Sequence, residues 1–353
     1  MTKRRAADSP KVSVVSTTHN QEAYVRQTFD SFIAQQTEFP VEIIVADDAS
    51  TDATPQIIQE YTDRHPHLFR PILRSHNLGL NANLSGALSA ARGEYIALCE
   101  GDDYWVDPLK LSKQVALLDR NPKTAVCFHP VRVIWTRGRA EDEKLWHALY
   151  RKFEEVFLPK FPPPFWAGDR SFEVLIRRNF IQTNSVMYRR LPDYDDIPPN
   201  VMPLDWYLHV RHATHGDIAM LPETMAVYRR HPRGMWYKSI TDPATFWLTQ
   251  GLPHAATLDA MLDIVSGNPV HEQIIAKNAN WVLQAIRKQV PDPEGRELLV
   301  QTTAQYPRIT TLALKDRWAR TPGGRLKRLR HKLRRAAQSK TGIGYAVDER
   351  LTV

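Results

Sequence analysis

A chain of 353 residues can bury a substantial core, by length about two domains. Its 42% hydrophobic and 24% charged residues exclude a disordered polypeptide. No uninterrupted apolar stretch reaches the ~20 residues of a membrane-spanning helix, and the basic Met1-Thr2-Lys3-Arg4-Arg5 leads into polar residues rather than the apolar segment of a signal peptide. The net charge of +8 is uneven, with much of it near the C-terminus. Cys99 and Cys127 form no Cys-x-x-Cys pair and fall in strand-like apolar runs. They read as small buried hydrophobes of a reducing cytoplasm.

In chain order, Val12–Ser16 reads as a buried strand, with Thr17–Asn20 as the loop after it. From Gln21 the pattern turns helical, with Val25, Phe29, Phe32 and Ile33 on one face. A second strand, Val41–Ala46, ends at Asp47-Asp48-Ala49-Ser50. Thr54-Pro55 suits a helix N-cap and first turn, with Ile57, Ile58 and Tyr61 pointing inward. Phe69–Arg74 is a weaker strand whose Pro71 suggests an edge or irregular position. The polar loop Asn77–Asn81 enters a helix carrying Leu84, Ala87, Leu88 and Ala91, which Gly93 ends. Tyr95–Cys99 is the next strand, Pro108 opens a helix with Leu111, Val115 and Leu118 inward, and Ala125–Trp135 is another strand region. Residues 136–170 are less regular and include Pro162-Pro163-Pro164 among aromatics, which suits surface packing or a lid. After Trp236 the character becomes helical, with Ile274, Asn278, Trp281, Val282 and Ile286 at helical spacing.

Strands alternating with helices predict an α/β fold with a mostly parallel sheet flanked by helices. Ligands of such sheets bind at the carboxyl ends of the strands. Topology therefore brings three polar loops to one edge: Thr17–Asn20, Asp47–Ser50 and Glu100–Asp103. The third is the most telling. The strand Tyr95–Cys99 stops at Glu100-Gly101-Asp102-Asp103, three carboxylates around one glycine. Mutual repulsion disfavours such a cluster unless a hard divalent cation, Mg²⁺ or Mn²⁺, shares it with a substrate's phosphates. A solvated acidic turn is the plainer alternative.

Several segments, in order, resemble family-2 glycosyltransferases of the GT-A fold: Val14–Asn20, Ile44–Asp52, Gly93–Leu98, Glu100–Trp105, Asn179–Ser185, Asp205-Trp206 and Tyr228-Arg229-Arg230-His231. The resemblance covers the first ~240 positions, judged against a usual domain size. It implies an N-terminal arm over 1–9, a GT-A domain over 10–237, a helical region over 238–320 and a basic tail over 321–353. It further implies an inverting, metal-dependent transfer of a sugar from a nucleoside diphosphate sugar to a hydroxyl of a saccharide or lipid-linked acceptor, as in assembly of bacterial surface polysaccharide or glycoconjugates.

By the same resemblance, Asp48, Thr17 and His19 contact the base, and Asn77 and Asn81 reach the base or ribose. Glu100-Gly101-Asp102 stands for the Asp-x-Asp motif, with Glu in first place. Asp102 or Asp103, with His231, holds Mn²⁺ or Mg²⁺ against the diphosphate. Asp205 is the candidate general base, a role competing with a plain helix N-cap ahead of Trp206. Asp47 reads as a structural cap of the second strand, and Trp105 as packing rather than a sugar platform. Arg229 and Arg230 suit phosphates or, as is commoner, surface acids.

A nucleotidyltransferase is the rival enzyme, although no Gly-rich phosphate loop follows the first strand. The missing Gly-x-Gly-x-x-Gly also disfavours a dinucleotide oxidoreductase. A catalytically silent nucleotide-sugar-binding protein is the third reading. The run Arg325–Arg335 places Leu326, Leu329 and Leu333 on one stripe among cations. It reads as a solvated tail or as a peripheral contact with the anionic inner face of the cell membrane. Without interleaved aromatics it gives no expectation of nucleic-acid binding.

Overall fold

The computed structural model describes residues 9–135 and 169–319. The proline run and the basic tail lie outside them. In order, the first half contains β1 (Val12–Thr18), α1 (Val25–Ile33), β2 (Val41–Asp47), α2 (Thr54–Arg64), β3 (Phe69–Leu73), α3 (Leu80–Ser89), β4 (Tyr95–Leu98), β5 (Tyr104–Trp105), α4 (Lys110–Arg120), β6 (Thr124–Phe128) and β7 (Val131–Trp135). There follow α5 (Asp169–Arg177), β8 (Met187–Arg189), α6 (Leu204–Ala213), β9 (Asp217–Met220) and β10 (Ala226–Arg230). The remainder is helical: α7 (Lys238–Thr241), α8 (Pro243–Val265), α9 (Pro269–Gln289), α10 (Glu294–Gln305) and α11 (Pro307–Ala319).

Seven strands form the main sheet in the order β3-β2-β1-β4-β8-β6-β9. Its neighbours pair in parallel except where β8 runs antiparallel to β4 and β6. The α/β architecture expected from the sequence is therefore present, and β3 takes the edge that Pro71 permits. A small sheet, β5-β10-β7, stands beside it.

Alternation along the strands sorts side chains between two cores. Val12 and Val14 of β1 and Tyr95 and Ala97 of β4 face Phe29, Ile58 and Leu111 of α1, α2 and α4. Val15, Ile96 and Leu98 point the other way, into a larger core shared with Leu84, Leu208, Met261, Ile275 and Ile309. The C-terminal helices thus pack on the same hydrophobic body as the sheet.

Three local expectations need correction. The region Ala125–Trp135 is two strands in different sheets, broken at His129-Pro130. Helix α1 starts at Val25, because Gln21–Tyr24 forms a turn closed by a hydrogen bond from Tyr24 N to Gln21 O at 2.9 Å. Thr54 does not cap α2. The Asp52 carboxylate accepts from Thr54 N at 2.9 Å, while Thr54 Oγ1 accepts from Gln21 N at 2.9 Å.

Candidate active site

The loops after β1, β2 and β4 converge as topology requires. They line a cavity of about 560 Å³ together with Asn77, Thr183, Asp205, His231 and Trp236. Thr17, His19, Asp48, Glu100, Asp102 and Asp103 all contribute to its wall.

The first two loops brace each other. Asn20 and Ala49 both adopt left-handed backbone, φ 54° and 55°, which costs a non-glycine residue energy unless its surroundings impose it. Here Ser50 Oγ accepts from Asn20 N at 2.8 Å and Asn20 Oδ1 accepts from Thr51 N at 2.8 Å. Asp47 anchors the arrangement from below, accepting from Thr18 Oγ1, Ser50 Oγ and Ser50 N at 2.8, 2.5 and 2.9 Å. It is 1% exposed, so its role is structural.

Both carboxylate oxygens of Asp48 accept from backbone. Its Oδ1 accepts from Leu78 N at 2.7 Å and its Oδ2 from Gly79 N at 2.9 Å, fixing the turn before α3. Gly79 sits at φ 82°, a conformation that favours glycine. The His19 Nδ1–H donates to Asp48 O at 2.8 Å, and Asn77 Nδ2 donates to the same carbonyl at 3.3 Å. These three residues therefore form one hydrogen-bonded corner of the cavity. Asn81 does not join them. It lies inside α3, and its amide donates to Val201 O at 2.8 Å and Pro198 O at 3.3 Å, away from the cavity lining.

The acidic loop separates its three carboxylates. Gly101 is a steric necessity, since a Cβ there would lie 2.4 Å from Gln21 Oε1 and 2.5 Å from Thr18 Cγ2. Asp103 turns inward, 2% exposed, and its Oδ1 accepts from Arg229 N at 2.8 Å. Burial first, then the Asp102 and Glu100 charges, push its carboxyl well above the usual range. Asp102 instead faces His231, with Oδ2 and Nε2 3.0 Å apart. Of the two aspartates only Asp102 has its carboxylate paired with the histidine. Burial first, then the charges of Asp102 and Asp205, push the Glu100 carboxyl up to about 8.

Asp205 is in the first turn of α6 but is not its N-cap, which is Pro203. Its Oδ2 accepts from Asn179 Nδ2 at 3.0 Å and Thr183 Oγ1 at 3.4 Å. The segment Asn179–Ser185 thus orients Asp205. Its far end supports the acidic loop, because Asn184 O accepts from the Trp105 indole at 2.9 Å. Trp105, 4% exposed, is packing rather than a platform.

Sequence reasoning overlooked Tyr24, Arg233 and Trp236. Arg233 and Trp236 line the cavity just beyond the Tyr228–His231 motif. Tyr24 packs on His231, ring centroids 4.7 Å apart, from the turn preceding α1. Their proximity to segments already singled out was the available signal.

A mostly parallel α/β sheet with acids gathered around a cavity at its carboxyl edge is the architecture of a ligand-binding α/β protein. Residues 13–232 match the profile described as glycosyl transferase family 2, and the chain belongs to that family. It is a nucleotide-sugar glycosyltransferase, which sets aside the nucleotidyltransferase and the silent binding protein. The uncharacterized protein Rv1520 of Mycobacterium tuberculosis is 56% identical over 339 residues, covering 96% of this chain and 92% of that one. The uncharacterized glycosyltransferase MJ1057 of Methanocaldococcus jannaschii is 33% identical over 137 residues, 38% of this chain and 47% of that protein. Among solved structures, the mannosyltransferase PcManGT of Pyrobaculum calidifontis, in complex with GDP-Man and Mn²⁺, shares the fold. Its TM-score is 0.52 at 16% identity, over 89% of this chain and 88% of that one.

Proposed function

We propose that this glycosyltransferase is metal-dependent and inverting, and that Asp205 is its general base. The acceptor is a hydroxyl of a saccharide or lipid-linked glycan, in the assembly of bacterial surface polysaccharide or glycoconjugates at the cytoplasmic side. The observation that carries the reading is one cavity bounded by the His19–Asp48–Asn77 corner, the Asp102–His231 pair and Asp205. The GT-A unit over 10–237 would supply these groups, with the helices of 238–320 as its support.

The nucleoside would lie against the His19–Asp48–Asn77 corner, beside Thr17. The donor's diphosphate would then extend toward Asp102 and His231. Among the described residues, no three His, Cys, Asp or Glu side chains gather to hold a metal. A carboxylate and an imidazole nitrogen 3.0 Å apart on the cavity wall nonetheless fit Mn²⁺ or Mg²⁺ that draws most of its ligands from phosphates and water. Bound there, the cation would offset charge on the departing diphosphate. Asp205, oriented by Asn179 and Thr183, would take the acceptor hydroxyl proton as that oxygen attacks the anomeric carbon. No helix among the described residues is long and apolar enough to cross a membrane. Contact with a membrane surface through the basic tail belongs to the same proposal.

The test is calorimetry of UDP, GDP and dTDP with and without Mn²⁺. At least one should bind, more tightly with metal, and Asp102→Ala should remove the metal increment. Equal binding in EDTA and Mn²⁺ would overturn the metal assignment.

A further inference from the structure

The cavity that Asp205 lines is amphiphilic in a way the transfer chemistry alone does not require. Its lining includes the polar Gln182, Thr183 and Asp205 and the apolar Met202, Met235 and Trp236. Trp236 is only half-buried, and Met235 is 39% exposed. Both stand on the chain that runs from β10 into the helical region.

Trp236 is backed by that region. Phe246 packs on it at 5.5 Å between ring centroids, and His254 meets it nearly perpendicularly at 6.0 Å and 84°, both from α8. Trp247 extends the cluster, 5.4 Å from Phe246 and 5.2 Å from His254. An indole held rigidly from behind and open to a cavity is suited to stacking. A pyranose ring has matching chemistry: one face of C–H bonds and a rim of hydroxyls. Its apolar face would meet the indole and the methionines, while its rim would face Gln182, Thr183 and the base.

We infer that Trp236 is a platform for the acceptor, which it binds as a sugar ring stacked on the indole with a hydroxyl presented to Asp205. The inference rests on the glycosyl-transfer reading and specifies the acceptor class as a saccharide at the reacting end. It also gives the helical region a function, because α8 holds the platform in place.

The experiment uses the full chain labelled with 5-fluorotryptophan. ¹⁹F resonances report the nine tryptophans, and the Trp236 signal is the one lost in Trp236→Phe. Methyl and octyl glycosides of glucose, galactose, mannose and N-acetylglucosamine are titrated in the presence of nucleoside diphosphate and Mn²⁺. Concentrations reach roughly 50 mM, well above the millimolar Kd of a weak ligand. A saturable shift of the Trp236 resonance by a methyl glycoside is expected, with saturation transfer strongest at the ring C–H protons. That transfer should fall roughly fivefold or more in Trp236→Ala and persist in Trp236→Phe. A Trp236 resonance unmoved by every methyl glycoside overturns the inference. So does a response to octyl glycosides alone, which would assign the surface to a lipid chain. Calorimetry of the nucleotides on the same sample separates the two failures: if they bind and the glycosides do not, only the platform falls.

Discussion

The ring of Tyr24 lies against the imidazole of His231, centroids 4.7 Å apart and planes inclined by 32°. On its other side, His231 Nε2 is 3.0 Å from Asp102 Oδ2. A ligating histidine is usually held by a hydrogen bond at its second nitrogen. Here Nδ1 is buried without such a partner among the described residues, so ring packing joins the Asp102 contact in setting the imidazole's orientation. Arg229 completes the support, its guanidinium carbon 5.4 Å from the Tyr24 ring and 4.4 Å from that of Tyr104. Tyr24→Ala should therefore raise the Mn²⁺ concentration needed for nucleoside diphosphate binding by roughly tenfold, as loss of an outer-shell partner does. Tyr24→Phe should retain the wild-type value. Calorimetry across a Mn²⁺ series reads both, and an unchanged Mn²⁺ requirement in Tyr24→Ala would refute the role.

Asp205→Asn separates proton removal from binding. The amide keeps the shape and can still meet Asn179 and Thr183, but it cannot accept a proton at neutral pH. Turnover should drop by about 10²- to 10⁴-fold, the usual worth of a positioned base. Affinity for the nucleoside diphosphate should stay within a few-fold, because the hydrogen bonds of Asp205 run to Asn179, Thr183 and Trp206 N and not to the His19–Asp48–Asn77 corner. Full activity of the variant would remove Asp205 from the mechanism.

The parallel sheet and the convergence of three loops were legible because both follow from strand–helix alternation and the rule for strand carboxyl ends. The identity of loop residues was legible too, but not the direction of each side chain. Asp102 and Asp103 are adjacent and chemically alike. Only the pairing of β10 with β5, which brings Arg229 N to Asp103 and His231 to Asp102, distinguishes them. Asn81 was misplaced for a related reason: helix α3 begins at Leu80, and that one-turn geometry aims its amide at the 198–201 segment. The aromatic cluster behind Trp236 was overlooked for another reason: Phe246, Trp247 and His254 are close to it in sequence, but their spacing does not say that the chain leaving β10 folds Trp236 back onto α8.

His254 offers a test of the helical region's burial. It is 6% exposed among Trp236, Phe246 and Trp247, and burial pushes its imidazole down to about 4. Between pH 6.5 and pH 4 the unfolded chain binds a proton that the folded one refuses, so this residue destabilises the fold progressively as pH falls. His254→Gln removes that dependence. Relative to wild type, its urea midpoint should improve steadily from pH 7 to pH 4.5. A constant difference between the two proteins across that range would show that His254 is accessible to protons when folded.

Lys110 presents the same physics with a larger charge cost. It is fully buried, its Nζ 2.7 Å from Gln114 Oε1 and 4.2 Å from the centre of the Trp105 ring. Burial pushes its ammonium down to about 7. From pH 7 up to its unfolded value near 10.5, the unfolded chain holds a proton that the folded chain gives up, so stability rises with pH across that window. Below pH 7 the full cost of the buried cation persists. Lys110→Met keeps the length of the side chain, removes the charge and leaves Gln114 Oε1 unpaired, a loss of about 1–3 kcal/mol. Burying an ammonium with one neutral hydrogen-bond partner should exceed that loss at pH 6. The variant should therefore melt higher than wild type at pH 6. Its advantage should shrink as pH approaches 10, where the wild-type amine is neutral and keeps its bond to Gln114. Thermal melts of both proteins from pH 6 to pH 10 decide the point: a wild type more stable at every pH would mean that the cation is better compensated than the single Gln114 contact allows.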